Sequence, residues 1–433
     1  MHVLIKGRAL VAALGILLVA VACGTSSSAS GGTVKVMAEW SGQEQANFLA
    51  VVKPFEDSTG IKVSYESTRD LTAVIKTRVA AGNPPDLAGV PNPQLLSQFA
   101  GQGKLTPLDG VLDMNALKAN YSQGWIDLGT YQGKLYQVYS WVSLKGLVWY
   151  NPKNFTAKGY QVPKTWSDLI TLQGQIKAGG TTPWCIGLKS GGADDGWPGS
   201  DWLKEIVLSQ SGPSVYDNWV AGKQKWTSPE IKSAFTTWGT ILGSGDSNVY
   251  GGSNEITSAS FKTAGDGLFT NPPKCYMHNQ ASFITSFFTS DNPSVQPGTD
   301  FNFFALPDVS SQFTGAHVVA GDSWGLFHDT PQARKLLNYL VTADAQGIWV
   351  KAGGKLSPNK QTPLSDYPDA LSKESAQILV GTQIAKYDAT DNMPADMRTA
   401  AWQAVLKFVQ NQGNLDSILT NLDKVQATAY QSS

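Results

Sequence analysis

Three short segments of the chain place an acidic side chain beside a tryptophan. Carboxylate oxygens accept strong hydrogen bonds from hydroxyl groups, and indole rings offer large rigid apolar faces. Together they suit a ligand that carries both hydroxyl groups and apolar C–H faces. The candidate binding residues in these segments are Glu39, Trp40, Asp195, Trp197, Asp322 and Trp324.

The other tryptophans divide by their local pattern. Trp141 lies in an extended, aromatic-rich segment and is a further candidate for ligand contact. Four more fall inside apolar patterns of helical period, which predicts that they pack in the core. These four are Trp166, Trp238, Trp349 and Trp402.

Alternating strand and helix patterns must position the first of these residues. Three β-rich runs, Val34–Met37, Ile61–Tyr65 and Leu87–Val90, are each followed by an amphipathic helical pattern. Strand–helix–strand units of this length predict a parallel sheet covered by helices. Ligands of such sheets bind beyond the carboxyl ends of the strands. This rule selects residues 39–41, 69–70 and Asn92, and we expect Arg69 to pair with Asp70.

Composition excludes several classes of protein. The 433 residues include 33 Lys+Arg and 34 Asp+Glu, and only 15% of the residues are charged against about 25% in typical domains. A net charge of −1 without a basic cluster argues against nucleic-acid binding. The length predicts two to three domains at about 150 residues each. A charge-poor, tryptophan-rich chain favours a neutral ligand.

The N-terminus is typical of an exported protein. Lys6 and Arg8 precede an apolar run of 14 residues that ends at Ala22, which is shorter than the roughly 20 residues of a membrane-spanning helix. Residues 1–22 are therefore predicted to be a signal peptide, and residues 23–32 a Ser/Gly-rich tether.

Two cysteines remain in the part of the chain after the tether. Cys185 and Cys275 are an even pair in an oxidising compartment, so they form either a structural disulfide or two buried thiols. The histidines lack metal-ligand spacing. We expect no metal site and no cofactor.

Several motifs in fixed order carry a family resemblance. They are the lipobox-like VACG ending at Gly24, then VKVMAEWSGQEQANFLAVVKPFEDSTGIKV, AAGNPPDLAGVPNPQLLSQFAGQGKLTPLD, GKLYQVYSW, GLVWYNPKNF, PKTWSDL, AGDSWGLFHDTPQARKLLNYLV and GIWVKAGGKLSPN. The chain resembles the extracellular solute-binding proteins of carbohydrate ABC importers, maltose-binding-protein-like in architecture and in lipoprotein form.

The resemblance implies an α/β fold of the two-lobe periplasmic-binding-protein type (type II), in which a sheet flanked by helices forms each lobe and a hinge is crossed several times. Lobe I is expected to span 33–144 and 313–357, and lobe II 145–312 and 358–433. The crossings are expected near 143–145, 310–314 and 356–359.

The same resemblance implies a function and further site residues. A sugar would bind between the lobes and pass to the membrane subunits of the importer, without catalysis. Asn92, Gln280 and Asp391 lie where related proteins place polar sugar contacts. Cys23 would carry the lipid that holds a monomeric chain on the outer face of the cell membrane.

Two alternatives remain open at the level of sequence. A secreted glycoside hydrolase also pairs carboxylates with aromatic rings, and Asp194 or Asp195 opposite Glu39 could act as its acid and base. The elements, however, do not form the eight repeats of a barrel, and no Gly-x-Ser-x-Gly motif is present. The third reading is a binding protein for a polar solute other than a sugar.

Overall fold

The computed structural model describes residues 31–382 and 384–431. The expected signal peptide, Cys23 and all but the end of the tether lie outside these residues. Within the described ranges, no helix has the length and apolar character needed to cross a bilayer.

Strands and helices alternate along the chain. The strands are β1 (Gly32–Ala38), β2 (Ile61–Ser67), β3 (Leu87–Val90), β4 (Thr130–Tyr131), β5 (Lys134–Leu135), β6 (Gln137–Leu144), β7 (Leu147–Tyr150), β8 (Thr182–Trp184), β9 (Cys275–Asn279), β10 (Asn302–Ala305), β11 (Ala316–Leu326) and β12 (Ile384–Tyr387). The α-helices are α1 (Gln43–Thr59), α2 (Leu71–Ala80), α3 (Pro93–Gly101), α4 (Met114–Asn120), α5 (Gln123–Leu128), α6 (Pro152–Lys158), α7 (Trp166–Ala178), α8 (Trp197–Val220), α9 (Pro229–Leu242), α10 (Gly252–Ser258), α11 (Ile284–Asp291), α12 (Pro331–Leu340), α13 (Ala343–Ala352), α14 (Ala370–Gly381), α15 (Ala395–Gln410) and α16 (Leu415–Ala429).

A six-stranded sheet organises the first lobe. Its order is β12-β11-β3-β1-β2, and β6 pairs with β11. β1 is parallel to β2 and β3, which confirms the parallel arrangement predicted for the first three strands. Their carboxyl ends, at Ala38, Ser67 and Val90, therefore lie at one edge of the sheet.

A four-stranded sheet organises the second lobe, in the order β10-β7-β9-β8. The core of this lobe includes buried side chains from α7, α8, α9, α15 and α16. Cys185 and Cys275 form a disulfide with Cα atoms 5.5 Å apart, which fastens the chain after β8 to the start of β9.

The chain crosses between the sheets at the hinge. It leaves the first sheet between β6 and β7, returns between β10 and β11, and leaves again after β12. Crossings were predicted near 143–145, 310–314 and 356–359. β12, which belongs to the segment expected in lobe II, pairs in parallel with β11 of the first sheet. The expected lobe boundaries remain a prediction.

Candidate functional site

A cavity of about 110 Å³ lies between the lobes, beyond the carboxyl ends of β1, β2 and β3. For scale, an engineered apolar cavity of about 150 Å³ accepts benzene. Six carboxyl and five basic side chains line it, together with aromatic rings and small residues. The lining residues are Glu39, Trp40, Glu44, Arg69, Pro91, Ser143, Lys145, Ser190, Asp194, Trp197, Lys204, Phe261, Phe283, Phe287, Ala320, Gly321, Asp322, Lys355, Asp388, Asp391, Arg398 and Trp402.

Five of the ten predicted binding residues line this cavity. They are Glu39, Trp40, Trp197, Asp322 and Asp391. Trp40 exposes little of its ring to the cavity. The residue is 98% buried, and its Nε1 donates a hydrogen bond to Asp322 Oδ2 at 3.1 Å. Ligand contact by these residues stays a prediction.

Two predicted tryptophans pack in the core of the first lobe instead. Trp141 and Trp324 are fully buried and each packs edge-to-face on Trp40, with ring centroids 5.6 and 5.5 Å apart. Trp324 Nε1 donates to Ser140 Oγ at 3.0 Å. Neither lines the cavity, because their indole rings fill the space beneath the sheet edge.

The side chains of three predicted polar residues accept hydrogen bonds from neighbouring backbone N–H groups rather than face the cavity. The Asn92 side chain accepts a hydrogen bond from Leu95 N and caps α3. Asp195 Oδ1 accepts from the backbone N of Ser190 and Gly191 at 2.7 and 2.8 Å.

Gln280 is 98% buried, and its Oε1 accepts a hydrogen bond from Ala281 N. Asn and Asp side chains, such as those of Asn92 and Asp195, favour local bonds of this kind at turns and helix starts. All three predicted residues, Asn92, Asp195 and Gln280, are absent from the cavity lining.

The predicted pairing of Arg69 with Asp70 is wrong. Arg69 Nη2 lies 2.8 Å from Glu44 Oε2 on α1, and Lys355 Nζ lies 3.4 Å from Glu44 Oε1. Although burial acts to raise the pKa of Glu44, Lys355 and Arg69 lower it overall. Glu44 stays ionised at neutral pH and neutralises these cations.

Arg398 and Trp402 are cavity residues that the sequence reading missed. Both lie on α15, and Trp402 had been predicted to be a core residue. The Arg398 guanidinium lies 4.7 Å from the Trp402 ring centroid, and its Nη2 donates to Thr72 Oγ1 on α2 of the first lobe. The Arg398 side chain therefore forms a direct hydrogen bond between the lobes.

An aromatic wall belongs to the second lobe. The Trp197 ring packs against Phe261 and Phe283, with centroids 5.0 and 6.1 Å apart. Lys145 Nζ lies 4.7 Å from the Trp197 ring. Arg69 and Lys355, which pair with Glu44, approach Phe261 and Phe283 at 6.0 and 5.8 Å, so contacts of the first lobe and the hinge reach this wall.

A buried ionic network at the hinge forms part of the cavity wall. Lys145, from the first crossing, pairs with Asp201 of α8 at 2.8 Å and with Asp388 at 3.4 Å. Lys204 of α8 pairs with both carboxylates. Burial acts to raise the pKa of Asp388, but Lys204 and Lys145 lower it well below its usual range. The network ties two hinge passages to the second lobe.

Among the described residues, 31–382 and 384–431, no hydrogen bond or ion pair joins the side chain of Glu39 or Asp194 to the rest of the protein. A third carboxyl of the cavity, Asp391, makes a 3.9 Å approach to Arg398. Burial, then the Asp194 charge, raises the pKa of Glu39 well above its ordinary value. Burial raises the pKa of Asp194 to about 6, partly offset by Arg398. These carboxyls are free to bind a ligand.

The described part of the chain holds no cluster of three or more His, Cys, Asp or Glu side chains arranged for a metal ion. The cavity can instead accept hydrogen bonds from a ligand through carboxylates, donate through guanidinium groups, and cover an apolar face with indole and phenyl rings.

Comparisons with known proteins agree with this geometry. A model of the bacterial extracellular solute-binding protein family matches residues 39–347. The chain is 35% identical over 377 residues to the osmoprotective compounds-binding protein GgtB of Synechocystis sp., covering 87% of this chain and 88% of that protein. It is also 35% identical over 396 residues to the alpha-glucosides-binding periplasmic protein AglE of Rhizobium meliloti, covering 89% and 85%.

Among solved structures, a chitin oligosaccharide binding protein has a TM-score of 0.79 and 19% identity, and the match covers 93% of this chain and 99% of that one. This likeness confirms the expected α/β two-lobe fold. Because the family model covers well over half of the chain and two relatives exceed 30% identity over most of its length, the chain belongs to the family of bacterial extracellular solute-binding proteins.

Proposed function

We propose that the chain binds a carbohydrate in the cavity between its lobes and delivers it to the membrane subunits of an ABC importer. The observation that carries this proposal is the joint presence of partnerless carboxyls, a partnerless guanidinium nitrogen and aromatic rings around one cavity. Sugar hydroxyls both donate and accept hydrogen bonds, so one ligand satisfies both kinds of group.

The names of two relatives narrow the proposed ligands to α-glucosides and osmoprotective compounds. AglE is named for alpha-glucosides and GgtB for osmoprotective compounds. A cavity of about 110 Å³ favours a compact ligand over a long oligosaccharide. Short α-glucosides and osmoprotective compounds are therefore the first compounds to test.

Contacts across the cavity support a closing mechanism. Arg398 reaches Thr72, and Arg69 reaches the ring of Phe261, between the lobes. A ligand that touches both lobes binds the closed form better than the open one, and this difference in affinity drives closure. The importer would then recognise the closed, loaded form.

The proposal extends to the cell surface. Membership in an extracellular solute-binding family places the folded chain outside the cytoplasmic membrane. We further propose that acylation of Cys23 anchors the protein to the membrane as a monomer. Two acyl chains hold a protein stably on a membrane, whereas one acyl chain binds only weakly. Expression with Cys23→Ser should release the protein into the medium, and mass spectrometry of the wild type should find the lipid.

A thermal-shift screen tests the proposed ligand class. Glucose, trehalose, sucrose, maltose, raffinose and glycine betaine are added to the purified Cys23→Ser chain. A compound that binds only the native state raises Tm, and we expect this from at least one glucoside. If only glycine betaine raised Tm, the ligand would be a non-sugar solute and the carbohydrate proposal would be wrong.

The same incubations address the hydrolase alternative. A binding protein returns each saccharide unchanged, whereas a hydrolase that used Glu39 and Asp194 as acid and base would release monosaccharides. Chromatography of trehalose and maltose after prolonged incubation should show no products. Products that disappear in Glu39→Gln would overturn the non-catalytic proposal.

A further inference from the structure

The two partnerless carboxyls of the cavity come from opposite lobes. Glu39 follows β1 of the first sheet, and Asp194 lies in the loop that leads into α8 of the second lobe. Both line the same cavity, and the charge of Asp194 acts on Glu39. In this closed arrangement, therefore, two acidic groups that an open cleft would separate share one low-dielectric space.

The neighbouring cations are already engaged elsewhere. Arg69 is paired with Glu44 at 2.8 Å, and Arg398 donates to Thr72 and approaches Asp391 at 3.9 Å. Asp322, which adds to the negative potential at Glu39, bonds to Trp40 and lies near Lys355. No described cation within hydrogen-bond reach neutralises Glu39 or Asp194.

Arg398 supplies an independent sign of a ligand. Its side chain is 98% buried and lines the cavity, yet its Nε has no hydrogen-bond partner among the described residues. A buried donor without a partner costs free energy. The cavity thus presents acceptors without donors at the two carboxyls and a donor without an acceptor at Arg398.

We infer that Glu39 and Asp194 are a specificity pair that makes closure conditional on a ligand able to donate a hydroxyl to each of them. This inference rests on the proposed function and deepens it. Without such a ligand, like charges from the two lobes oppose closure. With it, each carboxylate accepts a hydroxyl, while Arg398 Nε donates to a ligand oxygen.

A dependence on pH follows from the same pair. In an open cleft, both carboxyls would titrate near the ordinary value of about 4, whereas the closed cavity raises the pKa of Glu39 and, to about 6, that of Asp194. Arg69 and Arg398 act against these shifts, and Asp322, Asp70 and Asp195 act with them. Closure without ligand therefore takes up protons and becomes more favourable as pH falls from about 7 toward 5.

Small-angle scattering of the unliganded Cys23→Ser chain tests the charge opposition. We expect the wild type to be more compact at pH 5.0 than at pH 7.5, and Glu39→Gln and Asp194→Asn to be compact already at pH 7.5. Asp266→Asn is the matched control, because burial raises the pKa of Asp266 to about 6 as well, but Asp266 lies outside the cavity lining and bonds to Asn292.

Unchanged radii of gyration in both cavity variants at both pH values would overturn the inference. If Glu39→Gln melts at ambient temperature, Asp194→Asn alone decides, since Asp194 makes no side-chain bond that the fold would lose. The scattering measurement uses no sugar. A saccharide panel without any binding would refute the proposed function, whereas unchanged radii of gyration would refute the role of Glu39 and Asp194, so the two failures can be told apart.

Calorimetry with methyl α-D-glucopyranoside and its monodeoxy analogues tests the hydroxyl requirement. For the wild type, we expect at least one deoxy analogue to bind about tenfold more weakly or worse, because a buried acceptor is left unpaired. Glu39→Gln and Asp194→Asn should each reduce that discrimination for one hydroxyl position, whereas Asp266→Asn should not. Equal discrimination in all four proteins, or compaction induced by glycine betaine, would contradict a pair that reads hydroxyl donors.

Discussion

The bond between Arg398 and Thr72 offers a direct test of lobe closure. Arg398 lies on α15 and Thr72 in the first turn of α2, and the guanidinium Nη2 donates to Thr72 Oγ1. Because the two elements belong to different lobes, this bond forms only when the lobes meet. Thr72→Val removes the acceptor and keeps the shape of the side chain.

The expected loss follows from the type of bond. A hydrogen bond to a charged group contributes about 1.5–3 kcal/mol, and Thr72 is only half-buried, so we take the lower end of this range. A loss of about 1.5 kcal/mol in the closed state corresponds to about tenfold weaker binding. The Tm without ligand should barely change, since the open form lacks the bond.

Isothermal titration calorimetry with a saccharide from the panel measures the effect. Thr77→Val on the same helix is the control, because Thr77 Oγ1 donates to Ala73 O at 2.9 Å within α2 and faces solvent. It carries the same cost of valine in a helix without touching the other lobe. A double-mutant cycle with Arg398→Met should return a coupling energy close to the Thr72→Val loss. Wild-type affinity in Thr72→Val would refute the view that ligand binding brings these two residues together.

Three further perturbations follow from the packing. Trp197→Ala should weaken saccharide binding by about 1 kcal/mol or more if the ring covers a sugar face, and unchanged affinity in calorimetry would return Trp197 to a purely structural role. Burial, opposed in part by a hydrogen bond to the Cys185 carbonyl, lowers the pKa of His278 to about 4. Below its ordinary pKa of about 6.5 the unfolded state binds the extra proton, so the free energy of unfolding should fall by up to about 3 kcal/mol as pH drops from 7 to 4; a denaturant series in which His278→Gln keeps the same pH slope would contradict this. Lys204→Met should cost about 3 kcal/mol, the lower end of the range for breaking a buried ion pair, because Lys145 alone then compensates Asp201 and Asp388. Lys386→Met breaks a partly exposed pair with Asp217 and should cost under about 1 kcal/mol. Equal chemical-denaturation midpoints for the two variants would refute the contrast.

Local pattern was sufficient to place the first lobe's sheet edge. The three strands were predicted within two residues at each end, and their carboxyl ends do converge on the cavity. Glu39 was found by that rule. A parallel sheet is set by period-2 and period-3.6 patterns within about 60 residues, which a single sequence displays.

The pair Asp322 and Trp324 shows why a motif alone misplaced side chains. The segment lies inside β11, where the register with β6 shifts between Asp322 and Ser323. Residues two apart on a regular strand share a face, and a bulge changes where the side chains point. Asp322 consequently lines the cavity while Trp324 enters the core, and sequence gives no sign of the bulge.

Sequence patterns could not identify the residues that join the site through long-range contacts. Glu44 lies in the first turn of α1 and resembles an ordinary helix-start acid, yet its carboxylate holds Arg69 and Lys355. Lys355 is more than 300 positions away along the chain. Such a pairing depends on how the hinge returns the chain to the first sheet, which periodicity does not encode.

The low overall charge pointed to a neutral ligand, and the structure gives that expectation a different basis. The cavity is rich in charge, but most of it is compensated: Glu44 by Arg69 and Lys355, and Asp388 with Asp201 by Lys145 and Lys204. Charges paired in this way cannot supply the net attraction that an ionic ligand needs to offset its own desolvation. Among the described residues, the groups of the cavity that remain unpaired include Glu39, Asp194 and the Nε atoms of Arg69 and Arg398. They are hydrogen-bonding groups of both senses. Selection in this cavity therefore depends on matching donors and acceptors, which favours an uncharged polyhydroxylated molecule over an ion of either sign.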